Sequence, residues 1–445
     1  MYDTVAQYAQ ILSGEVDDWH PPVMVRLWQM LHPLGPSTAP MFFLQTTLYA
    51  FGFALIVAAL VRHGRWRAAV AAAMLALSPL LLGWQMVVLK DAQMLGALLA
   101  ALGILAHYRL ADRKMPGGAI ALAGLLLTYA TLVRANGVFA TVPLVLLVSP
   151  GRRKMLARGM MAIVAILLVL GVSPLINHRL FGASSSGVAK TQPLFDLAAV
   201  AVATPRSSSP FTSSERAQIA ARHCVKDFFW DPIGDPTACG PATARLTGQS
   251  EADLYIELAR SAVAHPLAYG AHRLRHWNST ERWLVAPNLP DSAPPIEAEP
   301  NHLGLVTPSN PIARTWQDCA ALEAATPLGW PIFWTLVALL FLPGAWRRHG
   351  DPAGCLALAL VASALTLEAS FAAISIASDL RYHLWSMAAS GLAVILLSND
   401  FQLLRREWIA GAAALLLVIA GGAMTRAFLP LAPDTYEGMI HAASG

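Results

Sequence analysis

Ten apolar stretches, separated by short loops and one long polar segment, leave this chain few ways to fold; they occupy residues 39–61, 68–89, 91–110, 118–133, 136–149, 159–176, 328–345, 353–377, 382–397 and 408–428. A helix that crosses the hydrocarbon core of a bilayer needs about 20 apolar residues. Only 13% of residues are charged, against about 25% in an ordinary soluble chain, and mean hydropathy is +0.51. The expected fold is an all-α polytopic membrane protein with about ten transmembrane helices. The net charge of +4 is scattered through short loops rather than gathered in one patch, so no nucleic-acid partner is expected; the lipid bilayer is.

Loop charges set the expected orientation. Arg62, Arg65 and Arg67; Arg109, Arg113 and Lys114; Arg152, Arg153, Lys154 and Arg158; Arg347 and Arg348; and Arg405 and Arg406 all suit the cytoplasmic side by the positive-inside rule. The stretches 118–133 and 136–149 are each short for a crossing, but both flanks of the pair are basic. The segment is therefore expected to go out and return as two short helices, with Arg134, Asn136 and Gly137 at the bend. The opposite side then receives the amino terminus, Lys90-Asp91, Arg381 and a long polar segment. An amino terminus on that side suggests a first helix encoded upstream and missing here.

Four regions follow: a first outer loop at 1–38 with an interfacial helix over 21–34, helices within 39–176, a mixed periplasmic domain at 177–327, and helices with an outer tail over 328–445. In the polar domain, 251–277 reads as an amphipathic helix broken near Pro266, and 284–311 as a proline-rich irregular loop. Its His272, Arg273, Arg275 and His276 have two readings, a solvated helix face, which is favoured, or a face turned toward a functional site. Cys224, Cys239 and Cys319 lie in the same segment. Closeness favours a Cys224–Cys239 disulfide in an oxidising compartment; three unpaired cysteines are the less favoured alternative. No spacing resembles a zinc site.

The unusual polar residues all fall on the expected outer side: Asp3, Asp17, Asp18, His20, Lys90, Asp91, Arg134 and Arg381. Charges near bilayer depth cost about 2.5–3.5 kcal/mol each on insertion scales, so they tend to be paired or functional. A cationic set of Lys90, Arg134 and Arg381 beside an acidic set of Asp3, Asp17, Asp18 and Asp91 fits a site that holds a lipid phosphate and activates a hydroxyl. Each residue also has a structural reading: Asp91 suits the first turn of any helix, Lys90 can reach the headgroups, and His20 can pack beside Trp19. Glu368 sits deep in an apolar stretch and requires a partner within the bundle.

Asp3 followed by Gln7 and Tyr8, then His20-Pro21-Pro22, with Lys90-Asp91, Arg134 and Arg381-Tyr382 further on, resembles the GT-C class of membrane glycosyltransferases. The likeness is to the bacterial relatives of protein O-mannosyltransferases and of the lipid A aminoarabinose transferase. It covers residues 1–150 best and the 177–327 segment hardly at all. It implies a multi-pass enzyme of the bacterial cytoplasmic membrane whose active site faces the periplasm or exterior. The donor would be a polyprenyl-phosphate-linked sugar, and the acceptor a cell-envelope glycan, lipid or protein. Asp3 and Asp91 would be catalytic, while His20, Asp18, Lys90, Arg134, Arg381 and Tyr382 would bind substrate. No cofactor is expected, and no divalent metal. A flippase or transporter of lipid-linked sugar is one competing reading; a glycan polymerase or ligase with a pyrophosphate donor is another.

Overall fold

A computed structural model describes residues 1–148, 155–306, 310–398, 405–433 and 435–442. The basic cluster Arg152, Arg153 and Lys154, part of the 284–311 loop and the side chain of Arg405 lie outside the described residues. Among those described the fold is all-helical; the only extended pairings are two isolated bridges, Asp17 with Ser184 and Phe229 with Ala377.

The chain forms two units. The first comprises 1–186, 293–368 and 381–417; the second comprises 187–292, 369–380 and 418–445. The division differs from a single polar domain over 177–327. Residues 293–327 join the first unit because the helix Pro311–Ala325 packs there. Its Glu323 accepts from Ser78 Oγ at 2.8 Å and from the Leu80 N–H at 3.0 Å.

The first unit opens with α1 (Tyr2–Ser13), α2 (Pro22–Leu31), α3 (Ala39–Arg62), α4 (Trp66–Ala76), α5 (Pro79–Gln85), α6 (Lys90–Arg109), α7 (Gly117–Leu132), α8 (Gly137–Val148) and α9 (Met155–Leu175). Six described helices are long and apolar enough to cross a membrane: Ala39–Arg62, Lys90–Arg109, Met155–Leu180, Pro352–Ile374, Leu380–Leu397 and Arg406–Phe428. The expected span 68–89 is instead broken into α4 and α5, bent by 53°. Pro79 has no N–H to continue α4 and disfavours helical backbone at Ser78. The Ser78 hydroxyl then caps α5 by accepting from the Leu81 N–H at 3.3 Å. α7, α8 and Pro331–Arg347 are apolar but shorter than a full crossing.

No residue of α9 is buried, and Leu167 and Leu168 are 63% and 62% exposed. A helix so apolar, with none of its residues buried by the protein, is suited to lipid rather than water. The chain is a helical, membrane-associated protein. α6 is the opposite case, buried along most of its length and packed on α3 through glycines. A Cβ at Gly52 would lie 2.5 Å from the Leu99 carbonyl oxygen, and one at Gly103 would lie 2.7 Å from that of Gly52. Absent side chains let the two backbones touch.

The chain reverses between α7 and α8. Thr131 and Thr141 hydroxyls meet at 2.8 Å across the turn, and a Cβ on Gly137 would lie 2.5 Å from the Ala130 oxygen. At the far end, Arg109 donates to the Val148 carbonyl.

The second unit is helical where a mixed domain was expected. Helices over Thr191–Ala203, Ser213–Ala221, Gly240–Thr247 and Glu251–Ala264 enclose Phe195, Phe229, Ile233 and Leu254. A Cys224–Cys239 disulfide, with Cα atoms 5.9 Å apart, closes this core; Cys319, in the first unit, is free and exposed. The basic helix Pro266–Thr280 is not a solvated face. His272, Arg273 and His276 are buried, and of the four only Arg275 is exposed. Buried Asp196 lies 3.0 Å from His272 Nε2 and 3.2 Å from Arg273 Nη1. Arg273 also donates to the Phe371, Ala372 and Ser375 carbonyls at 3.1, 3.0 and 2.9 Å. A carboxylate on a distant helix turned this face inward, and spacing within the basic helix carries no trace of that partner.

Candidate functional site

The first turns of α1 and α6 are brought together by local bonds. Thr4 Oγ1 donates to the Val88 carbonyl at 2.8 Å, docking α1 against the loop that leads into α6. That loop is fixed from below by buried amides. Gln45 Nε2 donates to the Gln85 and Val87 carbonyls at 2.6 and 2.9 Å, and Gln85 Nε2 donates to the Ala92 carbonyl at 3.1 Å. Gln93 Nε2 reaches Gln45 Oε1 at 3.1 Å, and Tyr129 donates to Gln93 Oε1 at 3.2 Å. Buried amides persist where each finds partners, so the network sets where Lys90 and Asp91 emerge. Asp3 and Asp91 are each the second residue of their helix, where the positive end of the helix dipole favours a carboxylate.

Around these acids stand three cations. Lys90 Nζ is 3.4 Å from Asp3 Oδ2, and Arg381 Nη1 is 3.2 Å from the same oxygen. Arg381 Nε also reaches Asp91 Oδ2 at 3.7 Å. Arg134 pairs with Asp91, and its Nε donates to Asn136 Oδ1 at 2.7 Å. The Tyr382 ring lies under the Arg134 guanidinium at 4.0 Å and near that of Arg381 at 5.5 Å, a cation–π arrangement that holds both planes. Asp3, Lys90, Asp91, Arg134, Arg381 and Tyr382, drawn from four separate stretches of sequence, are thus one cluster.

Three cations face two carboxylates, so the cluster carries one positive charge over. Asp91 is sealed, with 1% of its side chain exposed, whereas Asp3 keeps 13% and Lys90 keeps 18%. The reachable carboxylate is therefore Asp3. Burial pushes the Asp3 carboxyl up, but the Arg381 and Lys90 charges outweigh it and hold the group well below the usual carboxylate range. Burial, then the Lys90 charge, lowers His20 to about 4, so its imidazole is neutral at physiological pH. His20 is buried beside α1, with its ring 6.4 Å from that of Tyr2, and neither ring nitrogen has a hydrogen-bond partner among the described residues.

Asp18 is not part of this cluster. Its Oδ1 accepts from the Ser186 N–H and hydroxyl, both at 2.6 Å, and its Oδ2 lies 3.4 Å from His178 Nε2. Asp17 likewise accepts from the Trp19 N–H and from Gln10 Nε2, each at 3.0 Å. Both acids secure loop 14–20.

The partner of Glu368 is His383, whose Nδ1 lies 2.7 Å from Glu368 Oε2 in the protein interior. The pair clamps the 3-10 turn Leu380–His383 that presents Arg381 and Tyr382. Sequence reasoning passed over His383 and the glutamines at 45, 85 and 93. Their signal was polarity inside apolar stretches, in His383 directly after Arg381-Tyr382.

Among the described residues no group of three or more His, Cys, Asp or Glu side chains is placed to hold a metal ion. No family model matches this chain, no curated protein matches it, and no solved structure matches it.

Proposed function

We propose that this protein is a GT-C type glycosyltransferase of the bacterial cytoplasmic membrane. On this reading about ten helices cross or enter the bilayer, and the cluster faces the periplasm or exterior. The donor is a polyprenyl-phosphate-linked sugar, and the acceptor is a hydroxyl of a cell-envelope glycan, lipid or protein. The observation that carries the reading is the reachable carboxylate of Asp3 set between Lys90 and Arg381, with one positive charge over in the cluster.

A lipid phosphate supplies the missing negative charge, and arginine grips phosphate through two hydrogen bonds. Entering between Lys90 and Arg381, the phosphate competes with Asp3 for both cations. Asp3 then loses the charges that hold its proton affinity down and becomes a better base. It takes the proton of the acceptor hydroxyl while the acceptor oxygen bonds to the anomeric carbon. The bond from that carbon to the phosphate oxygen breaks, and the polyprenyl phosphate leaves with the electron pair, its growing charge met by Arg381, Arg134 and Lys90. Attack opposite the leaving group inverts the anomeric centre. Asp91 works through Arg134 and Arg381 as a positioning residue.

The test is release of polyprenyl monophosphate by the full chain in liposomes supplied with labelled polyprenyl-phosphate sugars. Removing a general base costs about 10²–10⁴-fold, so Asp3→Asn is expected to lose at least a hundredfold. Unchanged turnover removes Asp3 from the chemistry. Movement of intact donor across the bilayer would instead indicate a flippase, and release of polyprenyl pyrophosphate from a polyprenyl-pyrophosphate-linked donor, supplied in a parallel assay, a polymerase or ligase.

A further inference from the structure

Among the described residues, two buried polar side chains beside Asp3 have no hydrogen-bond partner for any of their side-chain polar atoms. Gln7 is 0% exposed and His20 is 2% exposed. The Gln7 Oε1 and Nε2 atoms and both His20 ring nitrogens lack a hydrogen bond among the described residues. Such atoms are costly to leave unmade in a folded interior. Gln7 stands four residues after Asp3 on α1, which places both on one helix face. A helical side chain leans toward the preceding turn, so the Gln7 amide inclines toward the turn that carries Asp3. His20 reaches the same turn from the loop, beside Tyr2, within the fields of Asp3, Lys90 and Arg381.

We infer that Gln7 and His20 form a subsite for neighbouring neutral hydroxyl groups of the sugar, next to the Asp3 cluster. The inference rests on the glycosyl-transfer reading and adds to it the chemical class of the sugar. A glutamine amide offers two donors and an acceptor oxygen, and a neutral imidazole offers one donor and one acceptor. Only a ligand group that both gives and accepts hydrogen bonds satisfies such a pair, and a hydroxyl does so. A carboxylate or phosphate only accepts. An ammonium only donates, and it would enter a cluster that already carries an excess positive charge. The subsite therefore selects an unsubstituted hexose or pentose over an amino sugar. His20 supplies a neutral ring because protonation there is opposed by burial and by Lys90.

The experiment measures binding of three probes to the full chain in nanodiscs: polyprenyl phosphate, its neutral hexosyl and pentosyl esters, and its 4-amino-4-deoxypentosyl ester. The wild type is expected to bind at least one neutral ester about tenfold more tightly than bare polyprenyl phosphate, and the amino sugar no better than the bare lipid. Gln7→Met and His20→Phe are expected to abolish that tenfold preference and leave the affinity for bare polyprenyl phosphate unchanged. A preference that survives both substitutions, its absence from the wild type, or tighter binding of the amino sugar would overturn the subsite while leaving the phosphate site standing. Failure of bare polyprenyl phosphate to bind, or binding indifferent to Arg381→Gln, would remove the glycosyl-transfer reading and the subsite with it. A ligand-free measurement separates recognition from structure. Replacing an unpartnered buried amide by an apolar group of similar size is expected to raise the unfolding midpoint of Gln7→Met by a few degrees. A lowered midpoint would show that the amide already holds a partner, such as an ordered water, and would also overturn the proposal.

Discussion

Arg381 Nη1 lies 3.2 Å from Asp3 Oδ2, joining residues from nearly opposite ends of the chain. The same guanidinium reaches Asp91 through Nε at 3.7 Å, so one side chain ties the first turn of α1 to the first turn of α6. Buried ion pairs of this kind contribute little net stability compared with apolar packing, yet losing one partner strands the other. Their retention here is accounted for by charge placement rather than by strength.

Removing one member should therefore cost more than removing two. Arg381→Gln is expected to lower the unfolding free energy by about 3 kcal/mol or more, the scale for breaking a buried pair. The double variant Asp3→Asn with Arg381→Gln should recover part of that loss, giving a coupling of about 1–3 kcal/mol. Unfolding of the four proteins of the cycle in one detergent measures it; simple additivity would mean that the two groups do not interact.

Acid should destabilise the first unit in two steps. His20 titrates at about 4 in the folded chain against 6.5 when unfolded, so the unfolded chain binds the extra proton first. Its contribution is fully present above about pH 6.5 and is lost as pH falls toward 4, on the order of 3 kcal/mol. Asp3 is also depressed, so its contribution holds above its unfolded value of 3.8 and drains only below that. His20→Phe is expected to flatten the stability profile between pH 6.5 and 4 while the fall below pH 4 remains.

In the second unit, the Cys224–Cys239 bond closes a loop of 15 residues. A loop of that length implies about 3 kcal/mol of stabilisation through the unfolded chain. Reduction, or paired serine substitution, is expected to lower the unfolding midpoint of this unit, followed by limited proteolysis within 187–292. Cys319→Ser, at an exposed free thiol, should change nothing in the same assay.

Glycine substitutions should have opposite signs in two helices. Gly52→Ala drives a methyl group against the Leu99 backbone and is expected to cost about 1–3 kcal/mol as overpacking. Gly124, inside α7, has nothing within 4 Å of a built Cβ. Gly124→Ala should then gain up to about 1 kcal/mol from helix propensity. Paired thermal unfolding curves decide the matter, and a loss at both sites would refute the close α3–α6 contact as the cause.

Much of the architecture was legible because lipid imposes a one-dimensional rule. Among the described residues the ten apolar stretches fall on helices, but only six of those helices are long and apolar enough to cross a membrane, one stretch is a bent pair and three helices are shorter; the chain does reverse at Arg134-Asn136-Gly137, where basic flanks led that to be expected. The cluster was partly legible for the same reason. Charged residues at the ends of apolar stretches are costly unless paired, which singled out Lys90, Asp91, Arg134 and Arg381. Asp18 looked the same in sequence and was assigned to the wrong neighbours, since its serine and histidine partners lie far along the chain. His272, Arg273 and His276 were misjudged as solvated because the carboxylate that buries them belongs to another helix.

The sequence by itself determined which segments leave water and which residues are too polar to be left alone there, since both depend on local composition. Tertiary structure alone decided who meets whom: that Arg381 bridges Asp3 and Asp91, that Glu368 holds His383, and that Gln7 and His20 are buried without side-chain hydrogen bonds among the described residues. Pairing depends on how distant helices pack, through contacts such as Gly52 on Leu99 and Thr4 on Val88, and no periodicity within one segment encodes the position of another.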